Sequence, residues 1–353
     1  MKHLIYKITL LGVLIALSTN VSAQEENKEF EPVCIAFYNL ENLFDTLDAE
    51  GVSDGDFTPT GGNAYTSERY QKKLENLSYV ISKIGTETTP DGPAILGVCE
   101  LETEQVLLDL CAMPAIKDRG YKVVHYDSPY YRGMDVALLY NPKYFTVESS
   151  QSFELNDPDN PDFTTRAQLL VTGDLMGERM HFMVNHWPSK SGGEKRSRPK
   201  RIMAAKLGVS IIDSIRAAEP DAKIIYMGDL NDDPTSESVR KHMRANGKTM
   251  DIDNDELYNP MWDLHKKGIG SHAWRDTWSL IDQMLISKGL VTTNKEFDDF
   301  RFYKAMVFNK KFLTGSEGSF KGYPFRTYVG SSWQGGYSDH FPVYLYLIRE
   351  VKN

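Results

Sequence analysis

The strongest constraint on the fold of this chain is an alternation that runs along almost its whole length. Short, β-rich apolar runs occupy residues 32–40, 93–100, 122–126, 135–140, 167–173, 180–187, 223–229, 281–287 and 342–348. Between them, residues 67–85 and 197–218 carry apolar side chains at three- and four-residue spacing, the period of a helix with one buried face. No internal repeat and no long Pro/Gly/Ser linker interrupts the pattern. Strands and helices mixed in this way bury their apolar faces in sheets covered by helices, so one α/β domain is expected over residues 24–353.

The 353 residues, 41% hydrophobic, suffice for a large core. The first segment has a different character. Lys2 and Lys7 precede the apolar run 8–17, and Val21-Ser22-Ala23 offers small residues for cleavage. This reads as a signal peptide over residues 1–23, with export to the periplasm or beyond the cell. The run is too short for a membrane span, and no other segment resembles one. No cysteine lies near the cleavage point, which argues against a lipid anchor.

The 40 basic residues less Lys2 and Lys7 face 49 acidic ones, a formal charge of -11 after cleavage. That balance disfavours tight nonspecific binding of nucleic acid, yet leaves room for a basic cleft around a phosphate. Nothing in the composition implies a protein partner, and a monomer is expected. Three cysteines are too few for a disulfide scaffold, and Cys34 and Cys99, inside apolar runs, read as small buried hydrophobes.

Polar residues gather where the runs end: Asn39 and Glu41 at and just beyond the end of the first, Glu100 in the second, His186 in the sixth, Asp229 and Asn231 around the seventh. Open α/β sheets place ligand sites at strand ends. The stretch GDLNDDP (228–234) has the 1-3-5 acid and amide spacing of an EF-hand. Pro234 stands where that loop needs glycine, however, and Arg240 where it needs glutamate. Asp232 and Asp233 with Pro234 then read as a turn capping a helix near Thr235. Carboxylates and carboxamides are hard ligands suited to Mg, Mn or Ca. Glu100 leads among them: if Cys99 points into the core, strand alternation turns Glu100 away from it. The competing reading is a cap for the following helix. After His186 come Lys190, Lys195, Arg196, Arg198, Lys200 and Arg201, a basic density that suits a phosphate as well as a solvated helix face, with Arg132 and Arg166 as further contacts. Asp282 sits inside an apolar run, where an unpaired carboxylate is costly. His340, held before the last strand by Pro342, is its expected partner.

FYNLENLF, GVCE, NHWPS, GDLNDDP, IDQMLIS and SDHFPV appear in the order seen in the endonuclease/exonuclease/phosphatase superfamily of metal-dependent phosphoesterases. From residue 33 to residue 348 the chain resembles that superfamily. The resemblance implies a four-layer α/β/β/α sandwich, two packed mixed β-sheets flanked by helices, with the site at one edge. It implies metal ligation by Glu100 and Asn39, with Asp339 close by and Glu41 a weaker candidate. It implies that Asp229 and Asn231 position water and phosphate, that Asp282 orients His340, and that His186 stands at the position where DNase-like members carry histidine. Asp135 is the weakly expected partner of His186, and Arg166, Arg132, Lys195, Arg198 and Arg201 are the expected phosphate contacts. The activity implied is in-line phosphoester hydrolysis with a divalent cation, magnesium before manganese or calcium. Either Asp229 or the His340–Asp282 pair activates water. The substrate class expected first is nucleic acid, ahead of phospholipid headgroups or sugar phosphates; a binding protein that has lost catalysis is the reading from another class. The aromatic, Gly-rich tracts 54–70 and 309–336 are surface loops or a substrate rim carrying Tyr323, Phe325, Tyr328 and Trp333.

Overall fold

The computed structural model describes residues 28–352. The leader expected at residues 1–23 lies outside the described residues, and among those described no helix is long and apolar enough to cross a membrane. The strands, in chain order, are β1 (Phe30–Leu43), β2 (Ile95–Leu101), β3 (Lys122–His125), β4 (Asp135–Tyr140), β5 (Phe145–Phe153), β6 (Gln168–Leu175), β7 (Glu178–His186), β8 (Ile224–Asp229), β9 (Ala245–Asn246), β10 (Leu257–Tyr258), β11 (His272–Trp274), β12 (Thr277–Ser279), β13 (Asp282–Ser287), β14 (Arg301–Val307), β15 (Tyr328–Val329), β16 (Ser332–Trp333) and β17 (Val343–Glu350). The helices are α1 (Ser67–Ile81), α2 (Glu104–Cys111), α3 (Glu194–Ala218) and α4 (Met261–Lys266).

Two large sheets form, in the orders β14-β17-β1-β2-β4-β3 and β5-β6-β7-β8-β13-β10-β9. Near the centre of each lies a parallel pair, β1 with β2 and β7 with β8, with antiparallel neighbours outside it. Parallel neighbours need a crossover, and the two amphipathic stretches supply them: α1 links β1 to β2, and α3 links β7 to β8. Alternation along β1 sends Val33, Ile35 and Phe37 towards Phe182, Val184 and Met227 of the opposite sheet. Its intervening residues Cys34, Ala36 and Tyr38 pack with Leu74, Leu77 and Ile81 of α1. In the other sheet Met183 and Tyr226 pack with Ala204, Ala205, Ile211 and Ile212 of α3. Helix, sheet, sheet and helix therefore stack in four layers, as the resemblance implied. Each large apolar side chain buried here contributes about 1.5–3 kcal/mol, and a one-residue slip would exchange the two faces of a whole strand, so register is firmly held. Cys34 and Cys99 are fully buried, one in each of two core layers.

Four elements differ from expectation. The first helix ends at Ile81, four residues early, and turns carry the chain on from there. α3 begins three residues early, behind Gly193 in a left-handed conformation (φ 92°), and absorbs Pro199 in its second turn. β5 and β14 escaped notice because they are edge strands, FTVESSQSF and RFYKAMV, with much polar and little fully buried surface.

Candidate active site

The four parallel strands run out side by side at one edge of the sandwich, and each delivers one polar group there. Asn39 leaves β1, Glu100 β2, His186 β7 and Asp229 β8; Asp229 faces Asp282 of the antiparallel neighbour β13 in register. The Asn39 amide nitrogen donates to Glu100 Oε1 (3.1 Å) and to Asp229 Oδ2 (3.2 Å), so it bridges the two sheets. His186 Nε2 lies 3.8 Å from Glu100 Oε1 and 3.6 Å from Asp229 Oδ2. Glu100, His186 and Asp229 each offer a ligand atom within 4.8 Å of the others. Residues separated by up to 190 positions thus meet in one small volume.

The local backbone corrects two sequence expectations. Glu100 is set by a bulge: the β2–β4 register shifts between Cys99 and Leu101, and Glu100 takes φ 60°. Leu101 is as buried as Cys99, so simple alternation does not orient Glu100. Nor does it cap a helix, since Thr103 caps α2. Asn231 lies beyond the end of β8 at φ 51°, its N–H donating to Asp229 Oδ1 (2.9 Å) in a tight turn, and its amide donating to the Trp187 carbonyl (3.0 Å). Its spacing from Asp229 is therefore that of a turn, not of one strand face. Glu41 (φ 48°) and Asn42 (φ 55°) share the left-handed region, which costs a non-glycine residue about 1 kcal/mol or more. Four such residues surround one site, and the surrounding hydrogen bonds hold them; the Asn42 N–H, for example, donates to Glu100 Oε2 (3.1 Å).

The expected His340–Asp282 pair is present, with His340 Nδ1 2.7 Å from Asp282 Oδ2. Ser271 Oγ donates to the same carboxylate oxygen (2.5 Å), and the His340 N–H donates to Ser338 Oγ, which itself donates to the Asn39 carbonyl. His340 Nε2 points towards Asp229 Oδ2 and Asp339 Oδ1, each at 3.9 Å. Burial works against charge on His340, but Asp282, Asp229 and Asp339 outweigh it and raise its proton affinity well above the usual histidine range. His186, buried and near Arg166, His340 and Arg132, is held well below that range and stays neutral. Burial pushes the Asp229 carboxyl up to about 7 against the pull of His340, with Asp282 and Glu100 adding to the rise. Neighbouring groups thus hold opposite protonation tendencies, the condition for acid–base chemistry.

Sequence reasoning passed over His272. Its ring lies 4.8 Å from that of His340, and His272, Asp339 and His340 form another group of close ligand atoms. It sits on the β11–β12 hairpin, where no motif marked it.

Several assignments need correction. Asn39 Oδ1 accepts the Glu41 N–H (2.9 Å), and the Asn39 amino group faces the carboxylates of Glu100 and Asp229 and clamps them together. Glu41 is turned away to the loop that follows Arg326: it accepts from the Thr327 N–H (2.6 Å) and lies 3.8 Å from the fully buried Lys73. Asp135 does not reach His186; its carboxylate lies 3.0 Å from His125 Nε2 and accepts the Ser128 N–H. Arg201 is completely buried, held to Asp232 (2.7 Å) and Glu194 (2.7 Å), so it supports the fold and contacts no phosphate. Arg198 is engaged with Glu194 and Glu237, and Lys195 is exposed outside the cleft. Asp232 and Asp233 cross-link the turn: Ser238 Oγ donates to Asp232, and the Leu280 N–H donates to Asp233. The helix expected near Thr235 is only a π-helical turn, Ser238–His242.

Arg166 and Arg132 do stand beside the site. Arg166 donates to the Trp187 carbonyl (2.6 Å), the group Asn231 also binds, and its guanidinium lies 4.8 Å over the Tyr130 ring. Arg132 donates to Asn42 Oδ1 (3.2 Å). Both line a cleft of about 520 Å³ whose wall includes Pro188 and Ser189, just beyond His186 in the chain. In the aromatic tract, Tyr328 and Trp333 pack on Tyr65, while Tyr323 Oη donates to Asp276.

The donor set fits a hard divalent cation. Glu100 offers a partly exposed carboxylate beside that of Asp229, and buried carboxylates crowd the site with few cations opposed to them.

A sequence model of the Endonuclease/Exonuclease/phosphatase family matches residues 34–349. No match was found among curated proteins. Among solved structures, an endonuclease/exonuclease/phosphatase family protein from Bacteroides thetaiotaomicron is similar over 92% of this chain and 98% of its own, with a TM-score of 0.53 and 17% identity. A mannosyl-6-phosphatase from the same organism covers 89% and 99% (TM-score 0.52, 18% identity). The human Nocturnin catalytic domain covers 92% and 97% (TM-score 0.53, 16% identity). At these identities the likeness is one of fold.

Proposed function

We propose, from the premise that this chain belongs to the endonuclease/exonuclease/phosphatase family, that it is an exported, divalent-metal-dependent phosphodiesterase of the nuclease type. The observation that carries the reading is the convergence of Glu100, His186 and Asp229 beside the Asp282–His340 pair. Glu100, with Asp229 and Asp339 near it, would hold the cation, magnesium first, which when bound neutralises a phosphate oxygen and assists the leaving group. Asp229 and Asn231 orient the attacking water, and Asp229 accepts its proton. Asp282 takes the Nδ1 proton of His340 in a hydrogen bond, leaving Nε2–H to face the phosphate and stabilise its growing charge. His186 stands between the Glu100 and Asp229 carboxylates, within reach of a leaving oxygen. Arg132 and Arg166 flank the phosphate being cleaved. Export follows from the leader-like residues 1–23.

The test is Glu100→Gln, assayed for hydrolysis of bis(4-nitrophenyl) phosphate with magnesium or manganese. The loss should be about 10²-fold or greater with an unchanged far-UV spectrum, since an open-site ligand contributes several kcal/mol of charge stabilisation. Near-wild-type turnover by this variant would sink the assignment.

A further inference from the structure

We propose that the cleft beyond Arg166 is a second anion subsite, which seats a phosphate of the substrate other than the one that is cleaved. The inference rests on the phosphoester-hydrolase reading above and adds the substrate's charge to it.

The cleft lies between the segments 130–132 and 160–166 and the first turns of α3, and its volume of about 520 Å³ is several times that of one phosphate group. Its lining holds four cations, Arg132, Arg166, Arg196 and Lys200, and one carboxylate, Asp162. Among the described residues none of the four has a carboxylate within 4.0 Å, although the chain carries 49 acidic residues against 40 basic ones. On the same helix, Arg198 and Arg201 are both ion-paired, to Glu194 and to Glu194 and Asp232 respectively. A protein with surplus acid that leaves four cations unpaired around one concavity has placed them for charge that comes from outside.

The cations fall into two groups. Arg166 shares the Trp187 carbonyl with Asn231 and so stands at the end nearest the catalytic carboxylates, while Arg132 reaches Asn42, the neighbour of Glu100. These two suffice for the reacting phosphate. Arg196 and Lys200, four residues apart and hence on one helical face, belong to the other wall. Lys200 Nζ rests 4.5 Å from the Phe163 ring centroid, which holds the ammonium at the cleft without neutralising it. The chain beyond His186 therefore forms a path from reacting phosphate to a second cation pair, and a substrate with one phosphate leaves that pair unused.

The test compares substrates that differ only by the second phosphate, in wild type and in the double variant R196Q/K200Q, with magnesium or manganese. One pair is thymidylyl-thymidine with and without a 5′-phosphate; the other is fructose 1,6-bisphosphate and fructose 6-phosphate. In whichever pair is turned over, the second phosphate should raise kcat/KM about tenfold in wild type, and the double variant should abolish that gain while hydrolysing bis(4-nitrophenyl) phosphate at nearly the wild-type rate. The pair that responds identifies the source of the second phosphate. Equal kcat/KM with and without it in wild type, or an undiminished gain in the variant, overturns the proposal. If neither pair is hydrolysed, tripolyphosphate binding in EDTA, measured by calorimetry, decides; if bis(4-nitrophenyl) phosphate is not hydrolysed either, the hydrolase reading fails by itself. Weakening by about tenfold in the double variant supports the subsite, and unchanged affinity refutes it.

Discussion

Replacing Arg201 by methionine should destabilise the protein severely while leaving its affinity for substrate alone. Arg201 has no exposed surface, and its guanidinium Nε lies 2.7 Å from Asp232 Oδ2, itself almost wholly buried. At an effective dielectric of about 20, unit charges at that separation attract by about 6 kcal/mol. Most of this offsets desolvation, but removing one partner leaves the other's charge buried, which costs about 3–5 kcal/mol. Lys190, 3.4 Å from Asp232 on a half-exposed side chain, and Ser238 Oγ recover a part, so about 3 kcal/mol is the expected net loss. In a protein of 353 residues that lowers Tm by roughly 4 °C. Adding Asp232→Asn removes the stranded charge and keeps an acceptor for Ser238, so the double variant should recover most of the loss. Urea denaturation followed by circular dichroism gives both values, and KM for bis(4-nitrophenyl) phosphate should stay within twofold of wild type for each folded variant. Arg201→Met as stable as wild type but with a strongly raised KM would refute the reasoning and restore Arg201 as a phosphate contact.

Asp282→Asn should lower kcat by about 10²-fold or more with KM little changed, because His340 loses the group that holds its Nδ1 proton; a kcat within threefold of wild type would contradict that role. His181 predicts a pH effect remote from the site. Burial, opposed by Glu219 at 3.3 Å, keeps it neutral and lowers its folded pKa below the unfolded value. Its contribution is therefore complete above the unfolded value of about 6.5 and is lost as pH falls from there through the lower folded pKa, so His181→Gln should flatten the stability profile on the acid side of about pH 6.5. Unchanged slopes in urea denaturation at these pH values would exclude His181 as the source. Gly208→Ala tests the packing of α3: an added Cβ would lie 2.7 Å from Tyr226 Cε2, inside the Trp187–Tyr226 hydrogen-bonded pair. Overpacking should outweigh the gain in helix propensity and destabilise by about 1–2 kcal/mol, whereas a raised Tm would show that Tyr226 can yield.

Much of this protein was legible in its sequence. All the apolar runs but one became inner strands of the two sheets, because a strand covered on two faces must be apolar throughout; the exception, β3, lies at a sheet edge, and the two amphipathic stretches became the crossovers that parallel neighbours require. The polar residues at strand ends were legible for the same reason: Asn39, Glu100, His186 and Asp229 interrupt otherwise apolar segments where a carboxylate or imidazole has no packing role. The buried cost of Asp282 pointed to a basic partner, and His340 proved to be that partner.

Other features depend on tertiary contacts. A run of cations looks alike in sequence whether it faces solvent, a carboxylate or a cleft. Only the rotation of α3 against its sheet paired Arg198 and Arg201 and left Arg196 and Lys200 open. Asp135 found His125 across the β3–β4 ladder, a partner chosen by register. His272 came beside His340 through a hairpin that carries no signature. The edge strands β5 and β14 were hidden because one face meets water and needs no apolar residues. The orientation of Glu100 came from a bulge and a left-handed backbone that no residue type announces. Local sequence determines which segments must be buried and which groups are too costly to bury alone; which group stands opposite each is decided only when the two sheets and their helices pack, because those distances are set by long-range contacts.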